Sequence, residues 1–194
     1  MNPSMGMLIN SLMMLVTMWS PAMAPKRDAA KVMRTPDVVY VGTAYDLISK
    51  MLQMAQPKKT DLVYDLGCGD GRILVLAAQK YGCRGVGFDI DPVRVEASKE
   101  NVARNHVEKL VTIIQADIFT IDLSKADVVP LYLLPDMNRR LLPQLDKLKP
   151  GSRIVCHNYD LEEIVADKTI TLISNEDNAS HTLSLYTTPL KRKN

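Results

Sequence analysis

Three glycines spaced two residues apart, Gly67, Gly69 and Gly71, lie in the run Asp65-Leu66-Gly67-Cys68-Gly69-Asp70-Gly71-Arg72. An apolar, β-rich stretch at 62–66 precedes them and a helical pattern at 72–81 follows. A strand that passes through bare backbone into a helix can turn sharply, and no Cβ atoms keep a ligand off the main chain. The dinucleotide fingerprint needs G-x-G-x-x-G so that a pyrophosphate meets the helix N-terminus. Here Arg72 stands where the third glycine belongs, which weakens a nicotinamide-dinucleotide reading. No Gly-Lys-Ser/Thr follows, so a phosphate-binding P-loop is excluded.

The rest of the chain supplies the frame for such a loop. Leu47, Ile48, Met51, Leu52 and Met54 recur at helical spacing, with Thr43 as the expected N-cap. Strands are predicted at 62–66, 85–90, 111–115, 127–132 and 153–157, and helices at 72–81, 92–105 and 136–148. This alternation implies a parallel sheet. Pro143 conflicts with the last helix and predicts a kink or a split there. The segments at 168–173 and 181–187 are joined by seven polar or small residues, too few for a crossover helix, and should pair as an antiparallel hairpin. The expected fold is α/β: a Rossmann-like, doubly wound, mostly parallel seven-stranded sheet with a C-terminal antiparallel hairpin. A chain of 194 residues, 46% of them apolar, accommodates one such domain, placed at 38–190 after a linker at 25–37.

Residues 1–24 differ from the rest. The uncharged run Met7 to Trp19 has the length of a signal h-region and falls short of the roughly 20 residues a membrane span needs. Ala22-Met23-Ala24 has the small-x-small form of a cleavage site, yet no Lys or Arg precedes the run. An export signal or membrane anchor is one reading. An uncleaved hydrophobic helix, another targeting segment, or an inert extension from an upstream start codon are the others. The chain is accordingly expected to be membrane-associated or exported if this segment acts, and cytoplasmic otherwise. A net charge of +2 advertises no nucleic-acid partner. Cys68, Cys83 and Cys156 are widely spaced and read as reduced thiols, and no cluster at ligand spacing calls for a metal.

Two further elements follow the glycine loop at strand ends. In Gly87-Phe88-Asp89-Ile90-Asp91-Pro92, Asp89 stands about 20 residues beyond the glycines, where a carboxylate accepts hydrogen bonds from both ribose hydroxyls of an adenosine. Ile90 can lie against the adenine, and Asp91 before Pro92 suits an N-cap. In Gln115-Ala116-Asp117-Ile118, Asp117 can accept from the adenine amino group, with a neighbouring N–H on a ring nitrogen.

At these residues the chain resembles the class I methyltransferases, whose motifs look like DLGCGDGR, GFDID and QADI, and the resemblance spans about 38–187. It implies S-adenosylmethionine as cofactor, with Asp65, Gly67, Cys68 and Gly69 around its methionine part, Asp89 on its ribose, and Asp117 and Ile118 at its adenine. The stretch after the fourth strand, Asp127-Val128-Val129-Pro130-Leu131-Tyr132-Leu133-Leu134-Pro135, lacks the Asn/Asp-Pro-Pro-Tyr/Phe of enzymes that methylate planar amines. The whole pattern is similar to small bacterial relatives of the ATP-synthase c-subunit lysine methyltransferases. That similarity implies a protein lysine as acceptor, with a membrane protein as a coherent substrate; a small molecule is the alternative within the class, and a Rossmann-type oxidoreductase the alternative outside it. The enzyme is expected to act as a monomer. Tyr132 is the candidate catalytic residue, placed to orient the acceptor nitrogen through its hydroxyl or ring face. Tyr40 and Thr43 are candidates for the cofactor carboxylate, and His157 and Asn158 for the acceptor pocket. His106 and His181 read as surface residues.

Overall fold

The computed structural model describes residues 34–37 and 39–193; the segment 1–24 and residues 25–33 of the linker lie outside them. Helix α1 (Tyr45–Ala55) leads into β1 (Leu62–Leu66), α2 (Arg72–Tyr81), β2 (Arg84–Asp89), α3 (Pro92–Arg104) and β3 (Val111–Gln115). A 3-10 turn (Ile118–Thr120) precedes β4 (Val128–Leu131), α4 (Pro135–Leu145) and β5 (Arg153–His157). The hairpin of β6 (Lys168–Ile173) and β7 (Ser180–Thr187) closes the chain. The sheet order is β3-β2-β1-β4-β5-β7-β6, with β1 to β5 parallel and β7 antiparallel to both neighbours. Strand order therefore reverses between β1 and β4, the place where open α/β sheets leave a crevice beyond their carboxyl ends.

Because side chains alternate along a strand, each central strand feeds two cores. Val63, Val128, Val155 and Leu183 face α1 and α2. Tyr64, Leu66, Val129, Leu131, Ile154, Cys156 and Tyr186 face α4 and the loops around it. That double burial explains why β1, β4 and β5 read as continuous apolar runs rather than alternating ones. All three cysteines are buried and free.

Two local expectations are corrected. Thr43 does not cap α1: Ala44 holds the N-cap position, no side chain caps it, and the Thr43 carbonyl accepts from Arg72 instead. Pro143 does not split α4. Its missing N–H leaves one helical bond unmade, to the Arg139 carbonyl one turn back, and Leu141, Leu142 and Leu145 pin the helix to the core across that gap. The helix ends at Leu145, three residues short of the predicted limit. Asp91 caps α3 as expected, its Oδ1 accepting from Val93 N at 2.8 Å with Pro92 following.

Candidate active site

The loop after β1 turns through Gly67, Gly69 and Gly71 at φ of 77°, 56° and 73°, conformations that carry strain in residues with a Cβ. Its amides are directed by the neighbouring strand: Gly67 and Cys68 both donate to the Phe88 carbonyl. Helix α3 holds it from below, Ser98 Oγ donating to the Gly69 carbonyl at 2.6 Å and Asn101 Nδ2 to the Asp70 carbonyl at 2.9 Å. Sequence reasoning missed both, although two polar residues three apart on the inward face of α3 are the available signal.

Asp89 ends β2 beside this loop. Its Oδ2 accepts from Gly69 N at 2.9 Å and its Oδ1 from Asp91 N at 3.0 Å, so two backbone amides aim the carboxylate while each oxygen keeps a free lone pair. Asp65, the last residue but one of β1, is fully buried and its Oδ2 has no hydrogen-bond partner. Burial, reinforced by the nearby Asp89 and Asp70 carboxylates, pushes its carboxyl up to about 7. Asp70 is itself tied by a fork of bonds from Arg72, whose Nη1 also holds the Thr43 carbonyl. Arg72, which breaks the dinucleotide fingerprint, thus fastens the segment before α1 to the glycine loop. A buried, unpartnered carboxyl facing two more carboxylates suits a cationic ligand and would repel a pyrophosphate.

A cavity of about 200 Å³ opens at the sheet's switch point, bounded by Gly67, Asp89, Ile90, Ile118 and Tyr132. A smaller one of about 40 Å³ adjoins it across Tyr40 and Tyr132 and is bounded by Asp65, Gly67, Cys68 and Thr43. The Cys68 side chain itself points toward Ser98 and Gly87, so only its backbone can serve the cavity. Residues 34–37 and 39–41 form a strap along one wall of the larger cavity. The Tyr40 ring covers Gly69 so closely that a Cβ there would collide with it, and Arg94 stacks on that ring, 4.7 Å from its centroid. Asp117 is not part of the cavity wall. Its carboxylate grips Arg34 of the strap through two bonds of 2.7 and 3.1 Å and also caps Phe119 N. Arg34 was not anticipated, because nothing local marks an arginine that pairs 83 positions away.

On the β4 side, Tyr132 lines both cavities. Its ring stacks on His157 with centroids 4.0 Å apart, and lies 6.3 Å from the ring of Tyr159 with planes within 14°. His157 is buried behind Tyr132 rather than in the cavity wall, and its Nε2 meets His181 Nδ1 at 2.9 Å. His181 is therefore not a surface residue: β7 runs antiparallel beside β5 and turns that side chain inward, while His106 is exposed as expected. Burial and the neighbouring His181 lower His157 to about 4, so it is neutral at ordinary pH. Among the described residues no cluster of His, Cys, Asp or Glu is arranged to hold a metal.

Residues 65–168, more than half of the chain, match the family described as the ANTKMT methyltransferase domain. The chain belongs to that family. A protein-lysine N-methyltransferase from Saccharolobus islandicus is 37% identical over 78% of this chain and 94% of its own length. A lysine N-methyltransferase from Xenopus laevis, named for the ATP-synthase c-subunit, is 28% identical over 84% of this chain and 69% of its own length. A crystal structure from Salinibacter ruber, titled an RNA methyltransferase in complex with S-adenosyl-L-homocysteine, superposes with a TM-score of 0.72 at 41% identity, covering 77% of this chain and 94% of that one. The protein is an S-adenosylmethionine-dependent methyltransferase with the Rossmann-like fold expected from its sequence. The oxidoreductase alternative falls.

Proposed function

We propose that this methyltransferase acts on the side-chain amine of a protein lysine. The observation that carries the acceptor class is the likeness, over 94% of that relative's length, to a protein named for lysine methylation. The charges beside the cavity support it over the RNA named for the Salinibacter protein. A nucleic acid needs free cations along its phosphates. Here Arg34 faces Asp37 and Asp117, Arg140 faces Asp37, and Arg94 faces Asp91.

S-adenosylmethionine supplies a methyl group made electrophilic by its sulfonium. We assign Asp89 to the ribose hydroxyls, Ile90 and Ile118 to the faces of the adenine, and Asp65 with the backbone of Gly67, Cys68 and Gly69 to the cationic methionine portion. Asp117 is spent on Arg34 in this structure, so an adenine amino group would share that carboxylate or displace the guanidinium. In-line transfer needs an uncharged amine held close to the methyl, and positioning rather than a dedicated base accounts for most of the acceleration. Tyr132, Leu134 and Tyr159 give the mouth an apolar lining, which disfavours the ammonium form and delivers the amine as a nucleophile. A membrane-protein substrate, with residues 1–24 keeping the enzyme near the bilayer, belongs to the same proposal.

The test is incubation of the full chain with methyl-labelled cofactor, a membrane extract, a soluble extract and total RNA, followed by mass spectrometry of whatever gains label. Methyl-lysine in a protein is the expected result. Label confined to RNA or to a small molecule overturns the lysine assignment, and label in soluble proteins alone removes the membrane one.

A further inference from the structure

Behind Tyr132 lies a chain of polar contacts that the transfer reaction itself does not require. Asp177, in the turn between β6 and β7, meets His181 Nε2 at 3.0 Å through Oδ2. His181 Nδ1 in turn meets His157 Nε2 at 2.9 Å. The protons in this chain can be assigned from Asn158. Its Oδ1 accepts from Thr182 N at 3.0 Å, so its Nδ2 is the end that approaches His181 Nδ1, at 3.3 Å. An amide nitrogen only donates, so His181 Nδ1 must be the accepting nitrogen and Nε2 the protonated one, directed at Asp177. His157 must then carry its proton on Nε2 and donate it to His181. That leaves His157 Nδ1 bare, which agrees with its being buried without a partner.

Every hydrogen bond in the chain runs in one direction, from His157 through His181 to the carboxylate, and this fixes the plane of the His157 ring. That ring is the surface on which Tyr132 stacks. On the other side, Asn158 takes a left-handed turn at φ 59°, its N–H bonded to the Thr182 carbonyl at 2.8 Å. The turn brings Tyr159 round toward Tyr132, and Asn138 of α4, almost wholly buried, anchors the Tyr159 carbonyl at 2.9 Å. Two nearly parallel tyrosines at the cavity mouth are thus held from behind by two anchors, the histidine pair of β5 and β7 and Asn138 of α4.

We propose that Asp177, His181 and His157 are positioning residues that hold the Tyr132 ring as an aromatic wall, with Tyr159, along which the acceptor side chain reaches the methyl. A neutral imidazole behind the ring leaves the π face available to the positively charged methyl as it passes to the uncharged amine, whereas an imidazolium there would oppose it. This inference rests on the proposal that Tyr132 lies on the acceptor side.

The test uses the full chain and whichever acceptor the labelling experiment identifies. His157→Phe keeps a stacked ring but removes the N–H that His181 receives. His157→Ala removes both. Asp177→Ala and Asp177→Asn differ in whether His181 keeps an acceptor. Displacing a positioning group by a fraction of an ångström to an ångström can cost up to about a hundred-fold in rate. His157→Ala should therefore lose most in kcat/KM for the acceptor, His157→Phe less, and Asp177→Asn should keep the rate that Asp177→Ala loses, while the donor Kd is unchanged throughout. Unaltered acceptor kinetics in His157→Ala overturn the proposal. So does a donor Kd that rises, or a melting temperature that falls, in step with the loss of rate, since that marks a merely structural role. Nitrogen-15 NMR of the histidines gives a readout independent of turnover: both rings must be Nε2–H tautomers. If label enters RNA rather than lysine, the lysine reading fails while these ratios are still measured on the RNA.

Discussion

The two halves of the crevice are built from different materials. The half beyond β1 and β2 is made of backbone amides, glycines without side chains, and carboxylates, and its parts fall in the continuous runs 65–72 and 87–91. The half beyond β4 and β5 is made of rings and imidazoles, and its contacts join single residues that no motif surrounds, such as Tyr132 with His157 and His157 with His181. A cofactor shared by a whole family can be met by backbone geometry that many sequences reproduce. An acceptor particular to one enzyme needs side chains, and those are assembled by the sheet.

The sharpest break of this contrast is Gly67→Val. At φ 77°, with a Leu133 methyl already 3.4 Å from where a Cβ would stand, valine should abolish donor binding in calorimetry while the core still melts cooperatively. Asp89→Ala comes next. A hydrogen bond to a charged group contributes about 1.5–3 kcal/mol, so donor Kd should rise at least ten-fold. An unchanged Kd would remove Asp89 from the ribose.

The pH response separates the halves again, with opposite origins. Asp65 is held near 7 in the free protein, and its ionised form is the one that attracts a cation. Donor affinity should therefore climb as pH rises through about 7, by at most about 1.4 kcal/mol per unit, and Asp65→Asn should flatten the profile. His157 is neutral in the fold with its value lowered to about 4, against the usual 6.5 when unfolded. Between these values the unfolded chain binds the extra proton, so the contribution to stability is whole above about 6.5 and is lost as pH falls toward 4. Melting curves of His157→Phe should lack that part of the acid sensitivity. The smallest effect belongs to Arg34→Ala. Partly exposed ion pairs contribute no more than about 1 kcal/mol, so its melting temperature should move little, and less still at high salt.

The same division governs what could be read in advance. Strands β1 to β5, the hairpin, the Asp91 cap and the positions of Gly67, Asp89, Ile90 and Ile118 at the switch point follow from periodicity and punctuation, which are local. Thr43 misleads because a threonine before a helical pattern is a good cap only if the chain turns there, and Arg72 draws its carbonyl elsewhere. His181 reads as a surface residue because alternation in an edge hairpin says which residues share a face, not which face a neighbouring strand covers. Tyr159, Asn138 and Arg34 leave no trace in any window of the sequence.

The strap has a practical consequence for anyone trimming this enzyme. A fragment begun at Tyr45 would retain every strand and helix described, yet lack one side of its own binding chamber. The stretch recognised by family, 65–168, omits that side and also the histidine contributed by β7. Boundaries drawn around secondary structure would here leave an open-sided pocket.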